Sequence, residues 1–513
     1  MTRIILATIN AKWIHPSLAL RLLKANLGSL EQQCEILEFA LRQPMKEKVD
    51  PILAAQPQIL GLSVSIWNHL ATIELLEALE GEWLLNVDNE EPCQRPVVVL
   101  GGPEVTWLPE EADIFRHADF VIRGEGEESF RTLCHEILDG DYQKNKGKTL
   151  KAAFINQAKT IVNLCDINPP YRLYTDEDLR RKLVYVESSR GCPFGCEFCQ
   201  GSIRPQGSIG SSGLHAVREF PLDSFLAEME ILINRGGRVF KFLDRTFNLD
   251  IDRAVKIMDF FLEKIRAERL VETSLGKEKP ICVHFEMIPS LFPQALKESL
   301  RRFPPGTLRL ELGIQTLNRE TAALVRRPLG SPPAGKQAPE ELETLRFLRA
   351  ETNAIVHADL IAGLPGEGLA SFGEGFDRLW QAMTDSDSPF DKPFEIQLGI
   401  LKRLPGTPIA RHNETHKMRY SPEPSYEVIE TGALPDAELL RLKNFARFWE
   451  TIVNRNPFPD LLPGLLPPRE PAFGRFMNLA DKLLETFGRN WGIDRAEIRA
   501  QLREHIVDIS GSF

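Results

Sequence analysis

The sequence has no apolar run approaching the ~20 residues that span a bilayer. Its opening, MTRIILATINAKW, holds an apolar stretch of about six residues, too short for the core of a secretory leader. It reads as a first buried strand. Positive charge is also scarce: 62 Lys and Arg against 72 Asp and Glu leave a net charge of −10. Proteins that work mainly by gripping phosphate backbones are usually basic, so nucleic acid is not favoured as the bulk partner. No G-x-G-x-x-G follows the first strand, so a dinucleotide site lacks its fingerprint. Gly147-Lys148-Thr149 resembles the end of a phosphate-binding loop, but Tyr142 stands where the first glycine must be. Cysteine is sparse. Of eight, five (Cys34, Cys93, Cys134, Cys165 and Cys282) are scattered singly, which excludes a disulfide framework. The expectation is a cytoplasmic protein with no membrane attachment.

What is present is an ordinary globular balance, 43% apolar and 26% charged over 513 residues. That length implies roughly three domains. From Met1 to Asp166, short apolar runs (Ile4–Ile9, Ile59–Val64, Val97–Leu100 and Phe120–Ile122) alternate with helical patterns (Leu18–Leu30, Leu70–Leu85 and Glu128–Leu138). This rhythm predicts an α/β domain over 1–166, a doubly wound, Rossmann-like parallel sheet whose ligands sit at the strand carboxyl ends. A polar stretch, Asp141–Lys151, and a stiff connector, Asn168-Pro169-Pro170-Tyr171, follow. From 182 to 410, six β-type runs recur: Val184–Glu187, Val239–Leu243, Ile281–Phe285, Leu308–Ile314, Ile355–Ile361 and Phe394–Leu401. With the helical patterns between them they fit a partial (β/α)6 barrel with its site at the strand carboxyl face. Arg327–Pro339 reads as a Pro/Gly-rich loop. Residues 420–513 show helical periodicity over Leu434–Asn454, Ala472–Phe487 and Asp494–Val507, broken by Pro457–Pro471, and no convincing strand; a helical C-terminal domain is expected.

The remaining three cysteines lie within eight residues, directly after the first barrel strand: Cys192-Pro193-Phe194-Gly195-Cys196-Glu197-Phe198-Cys199. Three thiolates can hold three irons of a cubane cluster, and the missing fourth ligand leaves one iron open for chemistry, as catalytic metal sites require. A zinc site completed by a distant histidine is the plainer alternative; its placement in a six-unit βα array weighs against it.

The C-x3-C-x2-C pattern in this position resembles that of the radical SAM superfamily, and the resemblance extends over about 230 residues. Asp244, in Phe242–Asn248, resembles the strand-two motif of the cobalamin-associated subfamily. Glu286 ends strand three. Glu311-Leu312-Gly313-Ile314-Gln315 is similar to the family's E-x-G-x-Q, and Asp359–Glu367, with Ile361 and Gly363, resembles the loop that packs against adenine. Pro405-Gly406-Thr407-Pro408 follows strand six. The resemblance implies a [4Fe–4S] cluster on Cys192, Cys196 and Cys199 beside Phe198, and S-adenosylmethionine (SAM) chelated by the open iron. Its sulfonium, ammonium and ribose hydroxyls would meet Glu286 and Glu311, with Asp244 and Gln315 in the same cofactor-binding set, and its carboxylate would meet Arg326 or Arg327. Singly, each motif has a plainer reading. Asp244 could cap the next helix, Glu311 could be a solvated strand-end carboxylate, and the basic stretch Arg301–Arg327 could be solvated faces.

The first domain resembles the cobalamin-binding domain of the B12-dependent radical SAM enzymes. Gly101, Gly102 and Thr106, and Gly124, Glu125 and Gly126, match typical loops there, and Ser63 and Ser65 would line the slot for the nucleotide tail. No D-x-H-x-x-G occurs, so a histidine ligand to cobalt is not indicated; His15 and His69 read as structural. Trp13, Trp67 and Trp107 lie near strand ends, where core packing is the commoner role.

The implied function is a cobalamin-dependent radical SAM methyltransferase. SAM would be cleaved reductively to a 5′-deoxyadenosyl radical, and an unreactive carbon of a small-molecule or peptide substrate methylated. Flavodoxin or ferredoxin is the expected reductant. The alternatives are a non-methylating radical reaction (cyclisation, rearrangement or sulfur insertion) or a non-catalytic Fe–S or cobalamin sensor. The single cysteine triplet weighs against a methylthiotransferase with two clusters.

Overall fold

The computed structural model describes residues 2–85, 94–140, 152–156, 163–203, 217–275, 280–328, 341–386 and 388–510. Cys93, Gly147-Lys148-Thr149, the polar stretch Asp141–Lys151 and all but the first two residues of the loop Arg327–Pro339 lie outside the described residues. The chain forms two compact units, Met1–Gly191 with Ile203–Lys241, and Cys192–Ser202 with Phe242–Phe513. Among the described residues no helix is long and apolar enough to cross a membrane.

In the first unit, β1 (Ile4–Asn10), β2 (Cys34–Ala40), β3 (Ile59–Ser63), β4 (Val97–Gly101), β5 (Phe120–Arg123) and β6 (Ala153–Asn156) form one sheet in the order β2-β1-β3-β4-β5-β6. All pairings are parallel. β1 is buried at every position, because helices cover both faces of a parallel sheet. Its odd residues Ile5, Ala7 and Ile9 pack with Leu75, Leu76 and Leu79 of the helix His69–Leu85. Ile4 and Leu6 pack on the other face with Leu20, Phe130 and Leu133. The sequence reading misses β2 and β6. β2, CEILEFA, flanks the core at the sheet edge and carries two glutamates, so it shows no continuous apolar run. The first predicted helix stops at Ala25, because the Asn26 side chain turns back to donate to the Leu22 carbonyl, 2.9 Å.

All six predicted barrel strands are strands: Val184–Val186, Val239–Phe242, Cys282–Met287, Leu308–Gln315, Ile355–Ala362 and Phe394–Ile400. The last four pair in parallel within the second unit. Their side chains alternate sharply. Val283, Phe285, Leu308, Leu310, Leu312, Val356, Ala358 and Ile396 are buried. The opposite face carries His284, Glu286, Arg309, Glu311, Gly313, His357, Asp359, Glu395 and Gln397. One face is core; the other is a polar concavity.

The C-terminal helices Asp436–Trp449 and Phe473–Phe487 pack on each other and share their core with the helix Leu369–Met383. Phe376 lies 4.7 Å from Trp449 and 5.2 Å from Phe445 between ring centroids, and Trp449 lies 4.9 Å from Phe476. The first of these helices ends in a π-helical turn, Glu450–Asn454. There the Asn454 amide accepts from the Ile396 N–H and donates to the Ile396 carbonyl, both 3.1 Å, pairing with the strand Phe394–Ile400 as a neighbouring backbone would. The sequence reading expects no strand after residue 420. The structure corrects this with an antiparallel ribbon, Arg419–Tyr420 with Val428–Glu430, too short to show a period.

Candidate active site and cofactor-binding residues

Parallel register sets Glu286 beside Glu311, Glu311 beside His357, and His357 beside Glu395. Four strands thus bring three carboxylates and an imidazole into one layer of the polar face. His284 Nε2 lies 3.1 Å from Glu311 Oε1. Arg309 Nη2 lies 3.1 Å from His357 Nε2 and 3.0 Å from Glu395 Oε1. Burial raises the Glu395 pKa against the lowering effect of Arg309, with Glu450 and Glu311 adding to the rise. Glu311 is therefore not a solvated strand-end carboxylate. His284, His357 and Glu395, which the sequence reading does not single out, lie on this face with Arg309, which it places only in a basic stretch. Their signal was the period-two alternation of polar residues inside strands.

The cysteine loop lies at the mouth of this face. Cys196 is buried and Cys192 and Cys199 are partly exposed. Burial raises the Cys196 pKa, Arg327 opposes that, and Cys199 and Cys192 add to the rise, so the three thiols share one electrostatic environment. Cys192 Sγ is 3.6 Å from Thr246 Oγ1, and Arg327 Nη1 is 3.7 Å from Cys196 Sγ. Phe198 is half-buried within the loop. Among the described residues no three His, Cys, Asp or Glu side chains converge on a single ion. Three thiols on one short loop are the donor set a cubane takes, one thiolate to each of three irons, and Cys192, Cys196 and Cys199 fit it.

Glu197, between the second and third cysteines, is 1% exposed in its side chain. Its Oε1 pairs with Arg326 Nε at 3.0 Å, and its Oε2 with Arg411 Nε at 2.7 Å and His412 Nε2 at 2.9 Å. Its backbone N–H donates to the Val325 carbonyl, and its carbonyl accepts from the Ile409 N–H. The two candidate arginines separate here. Arg326 turns to Glu197; Arg327 turns to Cys196 and donates to the Gly313 carbonyl. Arg326 has φ +52° and ends the helix Arg319–Leu324. The Arg327 N–H bonds Ala322 O and the Arg326 N–H bonds Ala323 O, a pairing whose left-handed residue is usually glycine.

Strand four ends in a bulge between Gly313 and Gln315, with Gln315 at φ +71°. A Cβ on Gly313 would lie 2.9 Å from Gln315 Nε2 and 3.2 Å from Arg327 Nη2, so the motif's glycine makes room for both. Thr316, after the bulge, donates to Glu367 Oε1 at 2.8 Å, and burial pushes the Glu367 carboxyl up to about 7. Ile361 lies on the polar face, half-buried, and Gly363 turns the chain against Val428. Asp244 is 1% exposed; at the start of the next helix Asp250 accepts from the Arg253 N–H at 3.0 Å.

In the first unit the strand order reverses between β1 and β3, and ligands of open parallel sheets bind at such a point. Asn68, fully buried, clamps it. Its Nδ2 donates to the Ile9 and Ser63 carbonyls at 2.9 and 3.2 Å, and its Oδ1 accepts from the Ser65 N–H at 2.7 Å. Gly102 has φ +107°, and a Cβ there would lie 2.5 Å from the Val64 carbonyl oxygen. Beside it, Gly101 ends β4. Thr106 Oγ1 donates to the Gly102 carbonyl at 2.8 Å and accepts from the Gly124 N–H at 3.3 Å, joining two of the predicted loops. Gly126 packs its backbone on Leu23. Glu125 is held by Arg218, at 3.0 Å, and Arg190, at 3.6 Å. His69 pairs with Glu104 and His15 with the Tyr185 hydroxyl, at 3.0 and 2.8 Å, as expected of structural histidines. Two of the three tryptophans depart from core packing, while Trp107 is half-buried. Trp13 is 51% exposed and Trp67 52%, with Ile14 and Leu70 also exposed nearby in sequence. These are flat apolar surfaces after β1 and β3, the two strands flanking the reversal.

A model of the radical SAM superfamily matches residues 186–379, and a model of the B12 binding domain matches residues 4–134. The cobalamin-dependent radical SAM methyltransferase TokK of Streptomyces tokunonensis is 24% identical over 438 residues, 81% of this chain and 56% of that protein. The 2-(S-pantetheinyl)-carbapenam-3-carboxylate methyltransferase of Streptantibioticus cattleyicolor is 25% identical over 403 residues, 74% of this chain and 52% of that protein. The chain thus spans about half the length of the curated relatives it matches. Among solved structures, the cobalamin-dependent SAM radical enzyme OxsB, with aqua-cobalamin and SAM bound, superposes with a TM-score of 0.59 at 13% identity, covering 100% of this chain and 81% of that one. The radical SAM methyltransferase TsrM from Kitasatospora setae, with tryptophan and a SAM analogue bound, gives 0.55 at 17% identity, covering 80% and 75%. At these identities the likeness is one of fold.

Proposed function

We propose that this chain, which belongs to the radical SAM superfamily and carries a B12-binding domain ahead of its barrel, is a cobalamin-dependent methyltransferase acting on an unreactive carbon of a small molecule or peptide. The observation that carries the reading is the pairing of the two modules in one chain, each with residues suited to its cofactor. When bound, the [4Fe–4S] cluster supplies the electron that cleaves SAM, and cobalamin carries the methyl group.

Cys192, Cys196 and Cys199 hold the cluster, with Arg327 against Cys196. Glu286 and Glu311 offer carboxylates to the ammonium and hydroxyl groups of SAM through charge-assisted hydrogen bonds. His284 Nε2 lies beside Glu311 Oε1, at 3.1 Å. The bulge presents Gln315 beside Arg327, and Asp244, Ile361 and Gly363 complete the SAM surface. In the first unit, Ser63, Ser65, Gly101, Gly102 and Thr106 line the slot for the cobalamin tail, with Gly124, Glu125 and Gly126 at its rim. Trp67 offers an apolar face to the corrin, as does the side of Trp13 away from the Lys182 ammonium, which lies 5.4 Å from the ring centre. A flavodoxin or ferredoxin delivers the electron, and a reducing cytoplasm suits thiolates that must stay free.

The test is anaerobic reconstitution of the full chain with iron, sulfide and hydroxocobalamin, followed by counting both cofactors and supplying SAM labelled in its S-methyl group. Near-stoichiometric cobalamin that acquires the label supports the reading. A cluster without cobalamin would overturn it in favour of a non-methylating radical reaction.

A further inference from the structure

Arg326 occupies the left-handed position at a helix end where glycine is the default. An arginine there is strained, and its side chain, 66% exposed, reaches Glu197: Nε lies 3.0 Å from Glu197 Oε1. The left-handed residue also divides two successive side chains. Arg326 turns away to Glu197, and Arg327 turns onto Cys196 Sγ at 3.7 Å and the Gly313 carbonyl. Glu197 itself is held from a third segment by Arg411, at 2.7 Å, and His412, at 2.9 Å. Arg411 also donates to the Leu324 carbonyl at 3.2 Å, fastening the turn that Arg326 completes.

We propose that Glu197 and Arg326 are positioning residues that aim Arg327 at Cys196, and that Arg327 raises the reduction potential of the cluster. The inference rests on the cluster assignment above. Reduction adds one electron, taken from a flavodoxin- or ferredoxin-class donor, and one negative charge to the cluster; no bond breaks in that step. A guanidinium against a ligand sulfur stabilises the more negative, reduced form more than the oxidised one. The aim of Arg327 is set jointly by the cysteine loop, the helix end and the segment after strand six.

The test is a redox titration of the reconstituted full-length protein without SAM, using dithionite and mediators and following the reduced cluster by paramagnetic resonance. Arg327→Gln should move the midpoint to a more negative potential at wild-type iron content, and Arg327→Lys should restore most of it. Arg326→Gly is the sharper variant. It relieves the strained position, so the apoprotein should melt no lower than wild type, yet the midpoint should still fall. The double variant Arg326→Gly/Arg327→Gln should fall no further than Arg327→Gln alone, because both act through one contact. A midpoint unchanged in Arg327→Gln, with only SAM affinity lost, would overturn the tuning role. Additive shifts in the double variant would overturn the positioning role. Wild-type protein that binds no iron and sulfide would overturn the cluster assignment, and this inference with it.

Discussion

In the first unit, β1 is buried at all seven positions, and its polar neighbours, Ser63, Ser65 and Asn68, come only where the strands end. In the second unit every other residue of Leu308–Gln315 leaves the core, and Arg309, Glu311, Gly313 and Gln315 share one face. One sheet is core on both sides and works at its tips. The other is core on one side and chemical along its length. Under the proposed function, the difference follows from what each would hold. A large, flat ligand needs backbone approach and apolar contact, which small residues and exposed rings supply. A small cationic cofactor needs fixed carboxylates, and these persist only where histidine and arginine neighbours hold them in place.

The comparison breaks hardest at the cysteine loop. Cys196→Ala removes one of three thiolates and should abolish both cluster assembly and SAM cleavage, while cobalamin binding to the first unit survives. Iron content, SAM cleavage and bound cobalamin, measured on one preparation, check this. Retained SAM cleavage would remove the cluster from the site.

At the tips of the first sheet the expected loss is large but local. Gly102→Ala forces a left-handed backbone on alanine and sets its Cβ 2.5 Å from the Val64 oxygen. It should destabilise the protein by at least about 2 kcal/mol and release cobalamin. Gly101→Ala is the control: its Cβ would meet nothing closer than Ile122 O at 3.8 Å, and it should cost about 1 kcal/mol or less. Thermal melting and cobalamin retention separate the two. Equal losses would show that the strand end tolerates no side chain at all, rather than one close approach.

The same contrast decides what the sequence could reveal. The βα rhythm, the six barrel strands and the cysteine triplet are local patterns and were legible. So was the E-x-G-x-Q motif, although only the geometry explains its glycine, through the space shared by Gln315 and Arg327. Edge strands β2 and β6 were not legible, because one-sided exposure blurs the apolar run. Trp13 and Trp67 read as core by composition, and are exposed because they follow β1 and β3 at the strand-order reversal. Glu197 was hidden for another reason. Its partners Arg326, Arg411 and His412 are distant in sequence, and a carboxylate between two cysteines carries no pattern. The left-handed conformation of Arg326 is what tells the two arginines apart.

Glu367 tests the second unit by pH. Its folded pKa of about 7 stands above the ordinary 4.5. The stability linked to its proton is therefore fully present below about pH 4.5 and is lost as pH rises through about 7. Glu367→Gln keeps an acceptor for Thr316 and cannot ionise. Wild type should weaken relative to this variant between pH 4.5 and 8, by an amount on the order of 3 kcal/mol. Denaturant titrations at several pH values measure it. A difference that does not change with pH would mean that the carboxyl is ionised in the fold.

The smallest effect concerns how the second sheet ends. A strand edge with unpaired backbone invites pairing with other chains, and here Asn454 lends its side-chain amide to Ile396, with 3.1 Å bonds in both directions. The π-helical turn Glu450–Asn454 carries it there, and Glu450 Oε2 accepts from Asn454 Nδ2 at 3.0 Å. Asn454→Ala removes two bonds and leaves the Ile396 N–H and carbonyl without them, a loss of about 1–3 kcal/mol. Asn454→Asp keeps the acceptor and loses the donor, so it should fall between. Cluster and cobalamin contents should not change in either variant, because the bond acts on the strand's outer side. If Asn454→Ala instead lowers SAM binding, then the edge strand transmits its register to Glu395 and the polar face, and the two faces of this sheet are less independent than their alternating side chains imply.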